Sequence, residues 1–145
     1  MTTIHRSAIV PHTAEEMYQL VNSIEDYPKF IPWCHGAEVH ARDEDEIRAT
    51  LSFEGGGFRK SFTTCNRLQK PKMIEIRLLD GPFKHLEGFW RFELQDDNTC
   101  VVKLDMEFEL ANKLMGLAFG PFFNQVANSL VDAFSKRADE IYGND

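Results

Sequence analysis

The sequence predicts an α+β fold in which a curved, seven-stranded antiparallel sheet wraps one long C-terminal helix. Three observations predict it. Five turn signals, Asp43–Glu46, Gly55–Gly57, Lys70–Lys72, Asp80–Pro82 and Asp96–Asn98, cut the middle of the chain into runs of strand length. The last two runs alternate apolar and polar residues with period two, the mark of an antiparallel sheet with one wet face. The C-terminal segment instead repeats its apolar residues at helical spacing, which supplies the cover that the dry face of the sheet needs.

Taken in order, Thr3 to Val10 forms a first strand stopped by Pro11. Thr13-Ala-Glu-Glu16 has the spacing of a capping box, and Met17, Leu20, Val21 and Ile24 follow on one helical face, so a short helix runs to about Ile24. Pro28 and Pro32 then forbid a regular helix through Asp26–Cys34. In the penultimate strand Leu86, Trp90, Phe92 and Leu94 share the dry face, opposite His85, Glu87, Arg91 and Glu93. In the last strand Cys100, Val102, Leu104, Met106, Phe108 and Leu110 do the same, opposite Val101, Lys103, Asp105, Glu107 and Glu109.

The long helix is expected from Pro121 to Tyr142, about 33 Å at 1.5 Å per residue. Its stripe holds Phe122, Phe123, Val126, Leu130, Phe134 and Ile141, and Met115 and Phe119 extend it upstream. Asn124, Asn128, Asp132, Lys136 and Asp139 lie opposite. At Gly120-Pro121 either the helix starts, or a preceding turn is kinked against it and carries Leu114, Met115 and Leu117 as a flap.

The 145 residues, with no repeat, linker or low-complexity run, are read as one domain spanning 1–145. A chain this long buries roughly 68% of its unfolded surface, enough for a core without staples. The N-terminus has no apolar signal region, and three widely spaced cysteines read as free thiols, so a cytoplasmic protein is expected. The net charge of −7 speaks against DNA as a partner. The stretch from Arg59 to Lys103 is locally basic.

Catalytic and metal signals are weak. His5, His12, His35, His40 and His85 are scattered with no ligand spacing, Cys34-His35 are neighbours that point apart on an extended segment, and Gly55–Gly57 lacks a phosphate-cradling context. No catalytic residue, metal or catalytic cofactor is expected. What stands out is the aromatic load of twelve phenylalanines and two tryptophans, eight of the phenylalanines from Phe83 onward. They either fill a core or line a space left between a curved sheet and a long helix. Arg137 falls inside the apolar stripe, where it must snorkel, pair with a carboxylate or anchor a ligand head group.

The segment Asp26-Tyr-Pro-Lys-Phe-Ile-Pro-Trp-Cys34, the strand Phe83-Lys-His-Leu-Glu-Gly-Phe-Trp-Arg-Phe92 and the helix Phe119-Gly-Pro-Phe-Phe123 through Val131–Ala138 resemble the coenzyme Q-binding protein family. That family belongs to the START-like (Bet v 1-like, polyketide cyclase/dehydrase) helix-grip superfamily, and its bacterial members are also called ribosome association toxins (RatA). The resemblance covers essentially the whole chain, and the Tyr-Pro-x-Phe-x-Pro-Trp-Cys segment is its specific part. It implies a hydrophobic tunnel that binds ubiquinone or a related polyprenyl lipid without chemistry, in support of respiratory electron transfer, with contact to the inner face of the cytoplasmic membrane. Combined with the face assignments, it nominates Phe30, Trp33, Trp90, Phe92, Phe108, Phe119, Phe122, Phe123, Val126 and Arg137 as ligand-binding residues. Two alternatives stay open: a toxin that binds a ribosomal subunit through the basic middle and blocks initiation, and an enzyme like the polyketide cyclases of the superfamily.

Overall fold

The computed structural model describes residues 1–55, 57–96 and 98–143. The strands are β1 (Thr2–Val10), β2 (Cys34–Arg42), β3 (Glu46–Gly55), β4 (Phe58–Gln69), β5 (Met73–Asp80), β6 (Phe83–Asp96) and β7 (Thr99–Leu110). The helices are α1 (Ala14–Asn22), a 3-10 helix (Ile24–Lys29), α2 (Lys113–Ala118) and α3 (Gly120–Tyr142). All seven strands form one antiparallel sheet in the order β1-β7-β6-β5-β4-β3-β2. Six consecutive strands thus form a meander, and β1 closes its far edge against β7. Register shifts at Cys34/Gly36 and Val39/Ala41 bend the opposite edge strand β2, as bulges do. Gly56 and Asp97, the middle residues of two predicted turns, lie outside the described residues; the strands flanking each turn pair as antiparallel neighbours.

The capping box forms as its spacing predicts. The Glu16 amide donates to Thr13 Oγ1 at 3.1 Å, and the Thr13 amide donates to Glu16 Oε1 at 2.9 Å. Two of the amides that a helix start leaves unpaired are satisfied together. Replacing Thr13 by alanine is expected to lower stability by about 1 kcal/mol, measured by urea denaturation. The chain then continues into the 3-10 helix, which contains Pro28 near its end. Its tighter turns tolerate the proline that a longer α-helix would not.

The inner face of the sheet carries the core. Every even residue of β7 from Cys100 to Leu110 is buried, as the alternation predicts. Leu94, expected on the dry face, is instead 74% exposed. The last residues of β6, Glu93–Asp96, run past the elements that cover the sheet, so facing inward there no longer means burial.

The helical stripe is also displaced. Phe123, Val126 and Phe134 are buried, but so are Ala127, Val131 and Ala138, whereas Ile141 is 49% exposed. Ala127 lies on the wall facing the sheet, and towards the helix end the cause is a second neighbour. Tyr142 donates its hydroxyl to the Glu16 carbonyl at 3.1 Å, and buried His12 bonds through Nε2 to Asp139 at 2.7 Å, so the end of α3 packs under α1. Small residues on that flank allow the close approach. Upstream, α2 is a separate short helix, and Phe119 (φ −101°, ψ −26°) joins it to α3, with Pro121 in the first turn where its missing N–H costs nothing. Leu114 and Leu117 of α2 are 77% and 73% exposed.

A candidate ligand cavity between sheet and helix

Two groups of aromatic rings fill the space between α3 and the sheet. One centres on Phe53, which lies 5.2 to 6.5 Å from Phe62, Phe119, Phe122 and Phe123; Phe83 and Phe108 close on Phe123 at 4.8 Å each. The other centres on Phe134, which meets Tyr27, Phe30 and Trp90 edge to face at 5.2 to 5.3 Å. Trp90 in turn stacks on Phe92, and Phe92 meets Tyr18 of α1. Rings in these arrangements interact favourably beyond their area, by about 0.5–1.5 kcal/mol per pair.

Between the groups lies a cavity of about 70 Å³. Its helix wall is Phe123, Val126, Ala127, Leu130 and Phe134 of α3. Its sheet wall is Ala49 and Leu51 of β3, Phe62, Thr64 and Asn66 of β4, Ile76 of β5, Leu86 and Trp90 of β6, and Met106 of β7. Val21, Ile24, Tyr27 and Trp33, from α1 and the proline segment, close one end. Small-molecule pockets hold roughly 300–1,000 Å³, so a ligand larger than a few heavy atoms enters only as lining side chains move apart.

Four of the ten nominated residues line this cavity: Trp33, Trp90, Phe123 and Val126. The other six stand around it. Phe108, Phe119 and Phe122 belong to the Phe53 group, behind the wall that Phe123 forms. Phe122 lies over β3, where a Cβ on Gly55 would sit 2.7 Å from the far edge of its ring, so a larger residue there would push the ring aside. Phe30 and Phe92 back Phe134 and Trp90. Arg137 reaches Phe30 instead of the cavity: its guanidinium carbon is 5.2 Å from the ring centroid, and Nη1 is 3.6 Å from Glu140.

The nominated set omits the polar members of the lining: Tyr27, read from the sequence as either a structural residue or a ligand contact, and Thr64 and Asn66, which sequence reasoning passed over. The Tyr27 hydroxyl donates to the Val21 carbonyl, and Thr64 Oγ1 donates to Asn66 Oδ1 at 3.0 Å. A signal for the last two was present. Phe62, Thr64, Asn66 and Leu68 share the inner face of β4, and two polar residues on an otherwise dry face mark a place where polarity is wanted.

Among the described lining residues there is no carboxylate, histidine, lysine or arginine. Tyr27 is the one lining phenol, and burial pushes its pKa far above the ordinary value, so it stays neutral. Burial also raises the thiols of Cys34 and Cys100 to about 11. In each case the folded protein favours the protonated form, so the unfolded chain releases the proton first. Stability is therefore expected to be insensitive to these groups below the ordinary thiol value of 9.0 and to fall as the pH rises towards about 11. Urea midpoints measured across that range check the direction.

One metal-ligand set exists among the described residues, on the outer face. Ligand atoms of His85, Glu87 and Glu107 lie within 4.8 Å of one another, but all three are solvent-accessible and sit on the opposite face of the strands from the lining residues Leu86 and Met106. No helix among the described residues is long and apolar enough to cross a membrane.

Comparison with known proteins places this architecture. Residues 10–135 match the family model described as polyketide cyclase/dehydrase and lipid transport. The chain is 41% identical over 143 residues, 99% of both chains, to a protein from Vibrio cholerae named ribosome association toxin RatA. It is 28% identical over 141 residues, 94% of this chain and 58% of the other, to coenzyme Q-binding protein COQ10 homolog B, mitochondrial, from Xenopus laevis. Among solved structures, a START superfamily protein from Mycobacterium smegmatis has a TM-score of 0.75 at 20% identity, covering 96% of this chain and 98% of the other. The Zhui aromatase/cyclase from Streptomyces sp. R1128 has a TM-score of 0.76 at 19% identity, covering 95% and 93%. These two show a shared helix-grip fold, a fold that also hosts enzymes. The chain belongs to the polyketide cyclase/dehydrase and lipid transport family, together with the RatA proteins.

Proposed function

We propose that the chain binds a prenylated quinone, or a lipid of similar shape, in the cavity between α3 and the sheet, without transforming it. The observation that carries this reading is the lining itself: apolar and aromatic on every wall, with three polar side chains and no group able to act as acid or base at neutral pH. A planar head group suits a slot between two sets of rings. An isoprenoid tail gains about 25 cal/mol for each Å² of apolar surface removed from water. The nominated residues of the Phe53 group, Phe108, Phe119 and Phe122, stand where a tail would run once the rings part. The exposed Leu114 and Leu117 of α2 suit brief contact with the inner face of a membrane from which such a lipid is drawn. A cytoplasmic carrier or presenter of quinone for respiratory electron transfer fits these features.

The test is organic extraction of the purified native protein followed by mass spectrometry. A prenylquinone at a near-stoichiometric level supports the reading. A protein that arrives empty and takes up no added quinone removes it.

A second reading is favoured by the relatives named for ribosome association at 41% identity. Arg67, Lys70 and Lys72, around the β4–β5 turn, are exposed and take part in no ion pair among the described residues, so they are free for a polyanion. Charge reversal at Lys70 and Lys72, read out by co-sedimentation with ribosomal subunits, separates the two. Loss of sedimentation with lipid uptake intact assigns a ribosome surface at this turn; unchanged sedimentation removes it.

A further inference from the structure

The hydrogen atoms of the cavity lining are not evenly disposed. Of its two hydroxyls, Tyr27 spends its proton on the Val21 carbonyl and Thr64 spends its proton on Asn66 Oδ1. Thr64 is 6% exposed, lies opposite Ala49 and Leu78 on the neighbouring strands, and has no other hydrogen-bond partner among the described residues. Its bond fixes which end of the Asn66 amide is occupied. Oδ1 is taken, and Nδ2, with two hydrogens, is left over. The indole N–H groups of Trp33 and Trp90 likewise have no acceptor among the described residues, and both rings line the cavity. The free polar capacity of the lining is therefore N–H donors, set against the lone pairs of two hydroxyl oxygens whose protons are already committed.

Such a cavity distinguishes ligands by what they accept. Asn66 is half-buried, and a carbonyl oxygen placed beside its Nδ2 completes a donor with no protein partner among the described residues. A hydroxyl in the same position brings its own hydrogen against the amide hydrogens unless it rotates towards Thr64 or Tyr27. A donor that the bound ligand shuts off from water and leaves unmatched costs more than a matched pair gains, so the difference falls on the ligand with the wrong polarity.

We infer that Asn66, held in its donor orientation by Thr64, makes the cavity select a head group that accepts hydrogen bonds, and hence the oxidised quinone over its quinol. The inference rests on the prenylquinone reading and adds redox selectivity to it. Asn66 is the specificity-determining residue; Thr64 positions it.

The experiment is calorimetric titration of the full chain with decylubiquinone and, under anaerobic conditions, with its quinol. The wild-type protein is expected to bind the quinone about tenfold more tightly. In Asn66→Leu, quinone affinity falls about tenfold while quinol affinity changes less than twofold, so the preference disappears. In Thr64→Val, which keeps the shape of the side chain, the amide is free to turn and the preference shrinks with the fold unchanged by circular dichroism. That variant keeps the test open should Asn66→Leu not fold. Equal binding of both forms by the wild-type protein overturns the inference alone, as does an Asn66→Leu protein that weakens both forms alike. Binding of neither form overturns the inference together with the reading beneath it.

Discussion

Phe134→Ala is expected to destabilise the protein by about 3–5 kcal/mol, read from urea unfolding followed by circular dichroism. Phe134 is 1% exposed and meets Tyr27, Phe30 and Trp90 edge to face, so its removal takes three ring contacts as well as its own buried area. The site has little means of collapsing. Phe134 already borders the 70 Å³ cavity, and the space it leaves joins that cavity instead of being filled by neighbours. Losses are largest where a void persists, which puts the expected value in the upper part of the usual range. A cost below about 1 kcal/mol would mean that the two ring groups repack freely.

The second large effect concerns the ligand. Ala127 is fully buried on α3 and faces the cavity, so Ala127→Leu puts three additional carbon atoms into a space sized for few more. Quinone affinity is expected to fall by about 10–200-fold, the scale on which a tight apolar pocket penalises misplaced methylenes. The accompanying change in stability should stay within about 1–3 kcal/mol, because the cavity takes up part of the added volume. Leu130→Trp, from a half-buried position on the same wall, is expected to act alike and guards against a local folding effect at Ala127. Unchanged affinity in both variants would place the ligand elsewhere on the molecule.

Much of this architecture was legible in the sequence because single-element rules govern it. The alternation in β7 fixed its buried face residue by residue, and Thr13 and Glu16 marked the start of α1 by a local bond. What the sequence hid was long-range. Leu94 has the right parity for burial, but parity is silent on where a strand outruns its cover. The stripe of α3 missed Ala138, because a small residue becomes core only when a second element, here α1 at the helix end, lies against it, and it missed Ala127, which is buried on the cavity wall. His12 and Asp139, 127 residues apart, carry no spacing signal at all.

The candidate site was legible to the same degree. Face assignments gave the inward direction but not the depth. Phe108 and Phe119 point inward as expected and are stopped behind Phe123 and Phe53. Thr64 and Asn66 went unnoticed for the opposite reason: each is an ordinary strand residue, and only the pairing of β4 with β3 and β5 brings them into an apolar wall. Arg137 was visible as an anomaly in the stripe; its guanidinium lies over the ring of Phe30 on another element, while its Nε stays buried without a hydrogen-bond partner among the described residues.

The protein contains two tryptophans, and both Trp33 and Trp90 line the cavity, which makes intrinsic fluorescence a direct report on its contents. Titration with a soluble short-chain quinone, a strong quencher at close range, tests the central claim. Saturable quenching of most of the emission, lost in Ala127→Leu, is the result expected of a quinone seated between the two ring groups. Weak, linear quenching that is the same in the variant would place the quinone outside the cavity and contradict the account.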